Sequence, residues 1–196
     1  MSEPAPAMAT YLGERAKTFC RDIEPCIHVA SLAVDIRIGE LARWGRSESD
    51  RFMKWFGTVE PIATMRVSLG LERMKIVLRE LRCDSFLPLT TAVAESLGCR
   101  LDDSPGMVAA VCQPSRLHKV MLSHEFLDVP LHRSNGVNQP SILVHELAHL
   151  QDVFATRGRG EVYTFFAAQR LALSSPEQAL NNSDNISGYV TDAHLS

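Results

Sequence analysis

Apolar residues recur at helical spacing over most of the chain, and the period changes only in its middle third. From about Tyr11 to Trp44 the pattern is helical, with Ile27, Leu32, Val34, Ile38 and Leu41 as apolar positions. A break is expected near Pro25, whose ring lacks an N–H, and a stop at Gly45. The run from Ser47 to Asp50 offers caps for a short helix ending in Trp55, Phe56 and Gly57. A third helix is expected from about Pro61 to Arg82, striped by Met65, Leu69, Met74, Val77, Leu78 and Leu81, with a solvated charged face. Residues 83–106 are mixed, with a short helix around Ala92–Leu97 and a turn from Asp102 to Gly106. Two strands follow, Met107–Cys112 and Leu117–Leu122, joined around Pro114 and Ser115. Asn135-Gly136 marks another turn, and Thr156 to Gly160 reads as a flexible loop. Helices are expected over Val162–Leu173 and from Ser175-Pro176-Glu177 to about Tyr189. Residues 1–10 read as a disordered leader, which leaves 11–196 as a single domain.

One stretch does not fit an ordinary core helix. Ile142 to Leu150 is apolar except for His145, Glu146 and His149, a His-Glu-x-x-His pattern. Residues four apart share a helix face, so both imidazoles can point at one metal ion. Zinc accepts two such nitrogens at adjacent corners of a tetrahedron. Glu146 projects beside the metal, placed to take a proton from an attacking water. Burying two imidazoles and a carboxylate is costly unless they are paired or metal-bound, so the apolar setting favours a metal site over chance occurrence. Asn138 or Gln139, with Pro140, supplies the helix start.

Composition narrows the setting. At 196 residues, with 45% hydrophobic and 22% charged residues, the chain has the balance of a globular domain. A net charge of −3 gives no electrostatic case for nucleic acid or an anionic membrane. No apolar run approaches the roughly 18 residues of a membrane span, and Met1 to Thr10 has no signal-peptide pattern. Five cysteines without a Cys-x-x-Cys pair do not make a zinc knuckle. A Cys83–Cys99 bridge is open to a chain that reaches an oxidising compartment. His28, His118, His124, His132 and His194 are isolated and read as structural or exposed.

From about Gly39 to Val190 the chain resembles the aspzincin metallopeptidases, the deuterolysin and peptidyl-Lys metalloendopeptidase family. The likeness rests on Arg51 to Gly57, Ala109 to Val111, Val120 to Leu122 with Phe126, His145 to His149, and Ala179 to Asn185. It implies an α+β fold, a mostly helical zincin with a small β-sheet beside the active-site helix. It also implies one Zn²⁺ per chain and a protein or peptide substrate, with Glu146 as general base and Tyr163 as oxyanion donor. The family's third ligand is an Asp three residues before that Tyr, but Gly160 stands there. Glu161 is therefore the expected third ligand beside His145 and His149, with Asp152 as its rival. In the Lys-specific branch two acidic residues hold the lysine after the scissile bond. Here the first is Asp184 and the second position is Ser187, so only a relaxed basic preference is expected. The alternative is a catalytically inactive binding protein that keeps the fold. Because the family is typically secreted, the resemblance also implies secretion or export by a signal-independent route, as an effector with an immunity or inhibitor protein as partner, or as a domain cut from a larger secreted precursor.

Overall fold

The computed structural model describes residues 6–101, 106–113, 117–132, 136–156 and 163–192. The turns expected at 102–105, near 114–115 and at Asn135, the loop 157–160, and Glu161 lie outside them. The described residues open with helix α1 (Pro6–Leu12), a 3₁₀ turn (Gly13–Arg15) and helix α2 (Ala16–Arg43). The disordered leader expected over 1–10 does not hold for 6–10. Met8 and Leu12, four residues apart, bury one face of α1 in the core. Helix α2 also runs through Pro25 without ending. Pro25 lies on the exposed side, while Phe19, Ile23, Cys26, Ala30 and Val34 bury a continuous face. That burial outweighs the roughly 3 kcal/mol an interior proline costs.

Helices α3 (Arg46–Phe56) and α4 (Pro61–Glu80) follow, the second starting with Pro61 in its first turn as expected. A small sheet comes next in space. Strands β1 (Phe86–Pro88), β2 (Ala109–Val111) and β3 (Val120–Leu122) lie in the order β1-β3-β2, with helix α5 (Thr91–Ser96) after β1. Strand β3 pairs parallel to β1, with Leu87 opposite Met121, and antiparallel to β2, with Ala110 opposite Met121. Both expected strands are present but shorter, and β1 was not foreseen.

Helix α6 (Gln139–His149) carries the His-Glu-x-x-His residues. Asn138 is its N-cap: Ser141 N–H donates to Asn138 Oδ1 at 2.9 Å, and Asn138 N–H donates to Ser141 Oγ at 3.0 Å. Helix α7 (Phe165–Ser174) starts at Thr164, whose hydroxyl accepts from Ala167 N. The single last helix expected from Ser175 is two, α8 (Pro176–Ala179) and α9 (Ser183–Thr191). Asn182 separates them with an extended backbone (φ −105°, ψ 124°), and its Nδ2 donates to Asn185 Oδ1 at 2.7 Å.

Helices α2, α4, α6 and α9 pack together around the core, with α9 lying along α6. Two of the sequence landmarks meet here: Asn185 Nδ2, on α9, donates to Trp55 O at 2.6 Å and to Ala168 O at 2.7 Å. The end of α9 is clamped by buried charge. Arg37 Nε donates to Tyr189 O at 2.8 Å, and Arg37 and Arg51 both pair with the buried Glu40 carboxylate, at 2.6 and 3.3 Å. Disulfides join Cys20 to Cys83 and Cys99 to Cys112, so Cys83 and Cys99 are both bridged but not to each other, the pairing the sequence had left open. Cys83 sits just beyond α4, which packs antiparallel to α2 and so brings Cys20 within reach. Cys26 is free and buried.

Candidate metal centre and cleft

A cleft of about 550 Å³ is lined by α6, the edge strand β2 and the ends of α7 and α9. His145, Glu146, His149, Tyr163, Asp184 and Ser187 all line it. Helix α6 holds the first three because Ile142, Leu143, Val144, Leu147 and Ala148 are buried, which turns the polar residues to its remaining face.

The two imidazoles face each other through Nε2, 3.3 Å apart. Behind them, each Nδ1 has a partner able to accept its proton. His145 Nδ1 lies 2.6 Å from Asp184 Oδ1, where a carboxylate accepts and the ring must donate. His149 Nδ1 lies 3.0 Å from Thr156 Oγ1 and 3.3 Å from Thr156 O, and a carbonyl can only accept. With the Nδ1 protons given to these acceptors, His145 Nε2 and His149 Nε2, the latter also 3.3 Å from Ser183 Oγ, turn lone pairs toward each other, an arrangement that a bound cation relieves. Two zinc–nitrogen bonds of about 2.0–2.1 Å at a tetrahedral angle span about 3.3–3.4 Å. The observed separation fits that ion. Burial also holds His149 below the usual histidine range, an effect that nearby Glu146 opposes and His145 reinforces. The neutral imidazole that results is the form that binds metal.

Thr156 reaches His149 by a tight reversal after α6. Ala155 takes a left-handed conformation at φ 56°, and Thr156 N–H donates back to Ala148 O at 3.1 Å. Gln113 Nε2 donates to Thr156 O at 2.9 Å, and Thr156 Oγ1 meets Ser183 Oγ at 2.7 Å. Neither Thr156 nor Gln113 stood out in the sequence, because a contact made through a reversal has no periodic signature. Ser183 lies inside a noted landmark, but nothing in the pattern aimed it at His149.

Asp184 divides its carboxylate between two elements: Oδ1 on His145, and Oδ2 accepting from Thr164 N at 2.5 Å. Tyr163 is 61% exposed, and its ring stacks on His145 at 6.2 Å with 24° between planes. Among the described residues no third His, Cys, Asp or Glu completes a metal set with the pair. Asp152, the rival ligand, is turned to His118 Nε2 at 2.8 Å, and Glu161 lies outside the described residues. His124 and Glu125 sit in an exposed 3₁₀ turn and pair with each other at 3.2 Å.

The sequence profile of the aspzincin family, described as lysine-specific metallo-endopeptidase, matches residues 42–191. The chain belongs to the aspzincin family. It is a zinc metallopeptidase, and protein or peptide is its substrate class. The fold agrees: a zinc peptidase from Grifola frondosa superposes with a TM-score of 0.66 at 23% identity, over 87% of this chain and 92% of that one. No curated protein matches the sequence. This aspzincin is mostly helical with a small three-stranded sheet, the architecture the resemblance implied.

Proposed function

We propose that this aspzincin is an endopeptidase whose zinc is held by His145, His149 and Glu161. The observation that carries the reading is the pair of Nε2 atoms facing each other at 3.3 Å on one helix, with Glu146 beside them on the cleft wall. Bound zinc supplies Lewis acidity toward the scissile carbonyl and lowers the pKa of water. Glu146 accepts the proton of the attacking water and returns it to the departing amine. Tyr163, stacked beside His145, donates a hydrogen bond to the carbonyl oxygen as it gains charge. Substrate lies along the cleft beside the edge strand β2.

Basic residues after the scissile bond receive at most a relaxed preference. Asp184 lines the cleft, but both its oxygens are engaged within the chain, and Ser187 stands where a second carboxylate would add charge. Export to an oxidising compartment is supported by the two disulfides. An effector role, with an immunity or inhibitor protein as partner, extends that reading. Casein digestion by zinc-loaded protein, compared with Glu146→Gln, tests the proposal. Activity lost in the variant with zinc retained supports it; a wild type that binds zinc and cleaves nothing establishes the inactive relative instead.

A further inference from the structure

Asp184 touches two parts of the catalytic apparatus at once. Its Oδ1 takes the Nδ1 proton of His145, and its Oδ2 takes the amide proton of Thr164, the residue after Tyr163. Thr164 sits at φ 80° and ψ 141°, a conformation that a β-branched residue adopts only under constraint. Two contacts accompany it: the Thr164 N–H donates to Asp184 Oδ2, and the Thr164 hydroxyl caps α7 by accepting from Ala167 N–H. Asp184 itself is held in the first turn of α9, which Asn185 ties to Trp55 O and Ala168 O.

We propose that Asp184 is a positioning residue that sets the metal ligand His145 and the oxyanion donor Tyr163 in one register, and does not bind the side chain of the substrate. This rests on the peptidase reading and assigns one of its cleft residues. The chemistry of an amide replacement makes it testable. Asparagine offers one acceptor and one donor, whereas His145 Nδ1–H and Thr164 N–H both need an acceptor. If the amide nitrogen faces His145, the ring proton moves to Nε2 and the metal-facing lone pair is lost. If it faces Thr164, two donors oppose each other and Tyr163 is released. Either orientation breaks one of the two couplings.

The experiment uses zinc-loaded full-length protein and four readouts. In the wild type, the Thr164 amide is protected from hydrogen exchange although its residue is exposed; exchange at the open-chain rate overturns the proposal without any variant. In Asp184→Asn, zinc affinity measured by chelator competition falls about 10–100-fold, the range found when the partner of a metal-ligating histidine is removed. At saturating zinc kcat falls with little change in KM, and the fall is much smaller in a Tyr163→Phe background, since the lost positioning then has no hydroxyl to act on. Cleavage-site profiles of a denatured protein mixture keep the wild-type distribution of residues after the cut. Full multiplicativity of the two substitutions refutes the coupling. A selective KM rise for peptides with Lys after the cut refutes it in favour of direct substrate binding. A wild type inert toward casein removes the peptidase reading, and amide protection with the zinc-affinity loss then still judges the clamp.

Discussion

Replacing Gly188 with alanine separates helix propensity from packing on the helix that supports the metal pair. On propensity alone the change stabilises α9 by about 1 kcal/mol. A Cβ at 188, however, would lie 2.1 Å from Trp55 Cζ3, 2.2 Å from Cη2 and 2.8 Å from Cε3. Ordinary carbon contacts are about 3.5–4.0 Å, so the overlap is more than an ångström at two ring atoms. The indole cannot swing away: it is buried, its N–H donates to Asp192 Oδ2 at 2.8 Å, and Phe165 packs edge-on at 5.4 Å. Overpacking costs typically 1–3 kcal/mol, and an overlap above an ångström against a fixed ring puts this site at the upper end, so after the propensity gain the net loss is about 2 kcal/mol. At about 2–4 °C per kcal/mol for a chain of this size, Tm of the zinc-free protein should fall by roughly 4–8 °C in calorimetry. Trp55→Phe removes the offending ring atoms, so the double variant should be less destabilised than the sum of the singles. A Gly188→Ala protein as stable as wild type, or additive losses in the double variant, would refute the reasoning.

Further outcomes follow from the site and the core. His145→Ala or His149→Ala should abolish stoichiometric zinc, as read by metal analysis after dialysis. Glu146→Gln should keep zinc and lose roughly 10²–10⁴-fold in kcat on a peptide substrate, because an amide cannot take the proton. Glu161→Ala should weaken zinc in chelator competition while Asp152→Ala leaves it unchanged, and the reverse pattern would make Asp152 the third ligand. The Cys26 thiol, pushed up to about 12 by burial, should resist alkylation at pH 8 in the folded protein and react only with added denaturant, as mass spectrometry would show.

The sequence made the long elements and the metal helix readable because each rests on a local signal. Helix α4 begins at the proline that predicted it and ends two residues short of expectation. Asn138 caps α6 as the pattern allowed. What escaped depends on contacts distant in the chain. Helix α1 was hidden because its prolines and its seven-residue length suggest a leader, while the helix is held by burial of Met8 and Leu12. Pro25 predicted a break that tertiary packing overrides. Strand β1 has only three residues and exists through its pairing with β3 across more than thirty positions. At the site, His145, Glu146, His149, Tyr163 and Asp184 were named from motif and family pattern, and the cleft does bring them together. The pairing of Asp184 with Thr164, and the ring of Thr156, Ser183 and Gln113 behind His149, follow from chain reversals that no local spacing encodes.

The distance along the chain between the motif and its supports has a consequence for the order of synthesis. A ribosome that has released α6 has already made His145, Glu146 and His149, yet the partners of both rings, Asp184 and the Thr156–Ser183 pair, are completed only with α9. A nascent chain stopped short of α9 thus holds the His-Glu-x-x-His residues without the groups that contact the Nδ1 atoms of both rings. The partnered form of the two rings is therefore completed by the helix made last among the described elements, which places it late in synthesis.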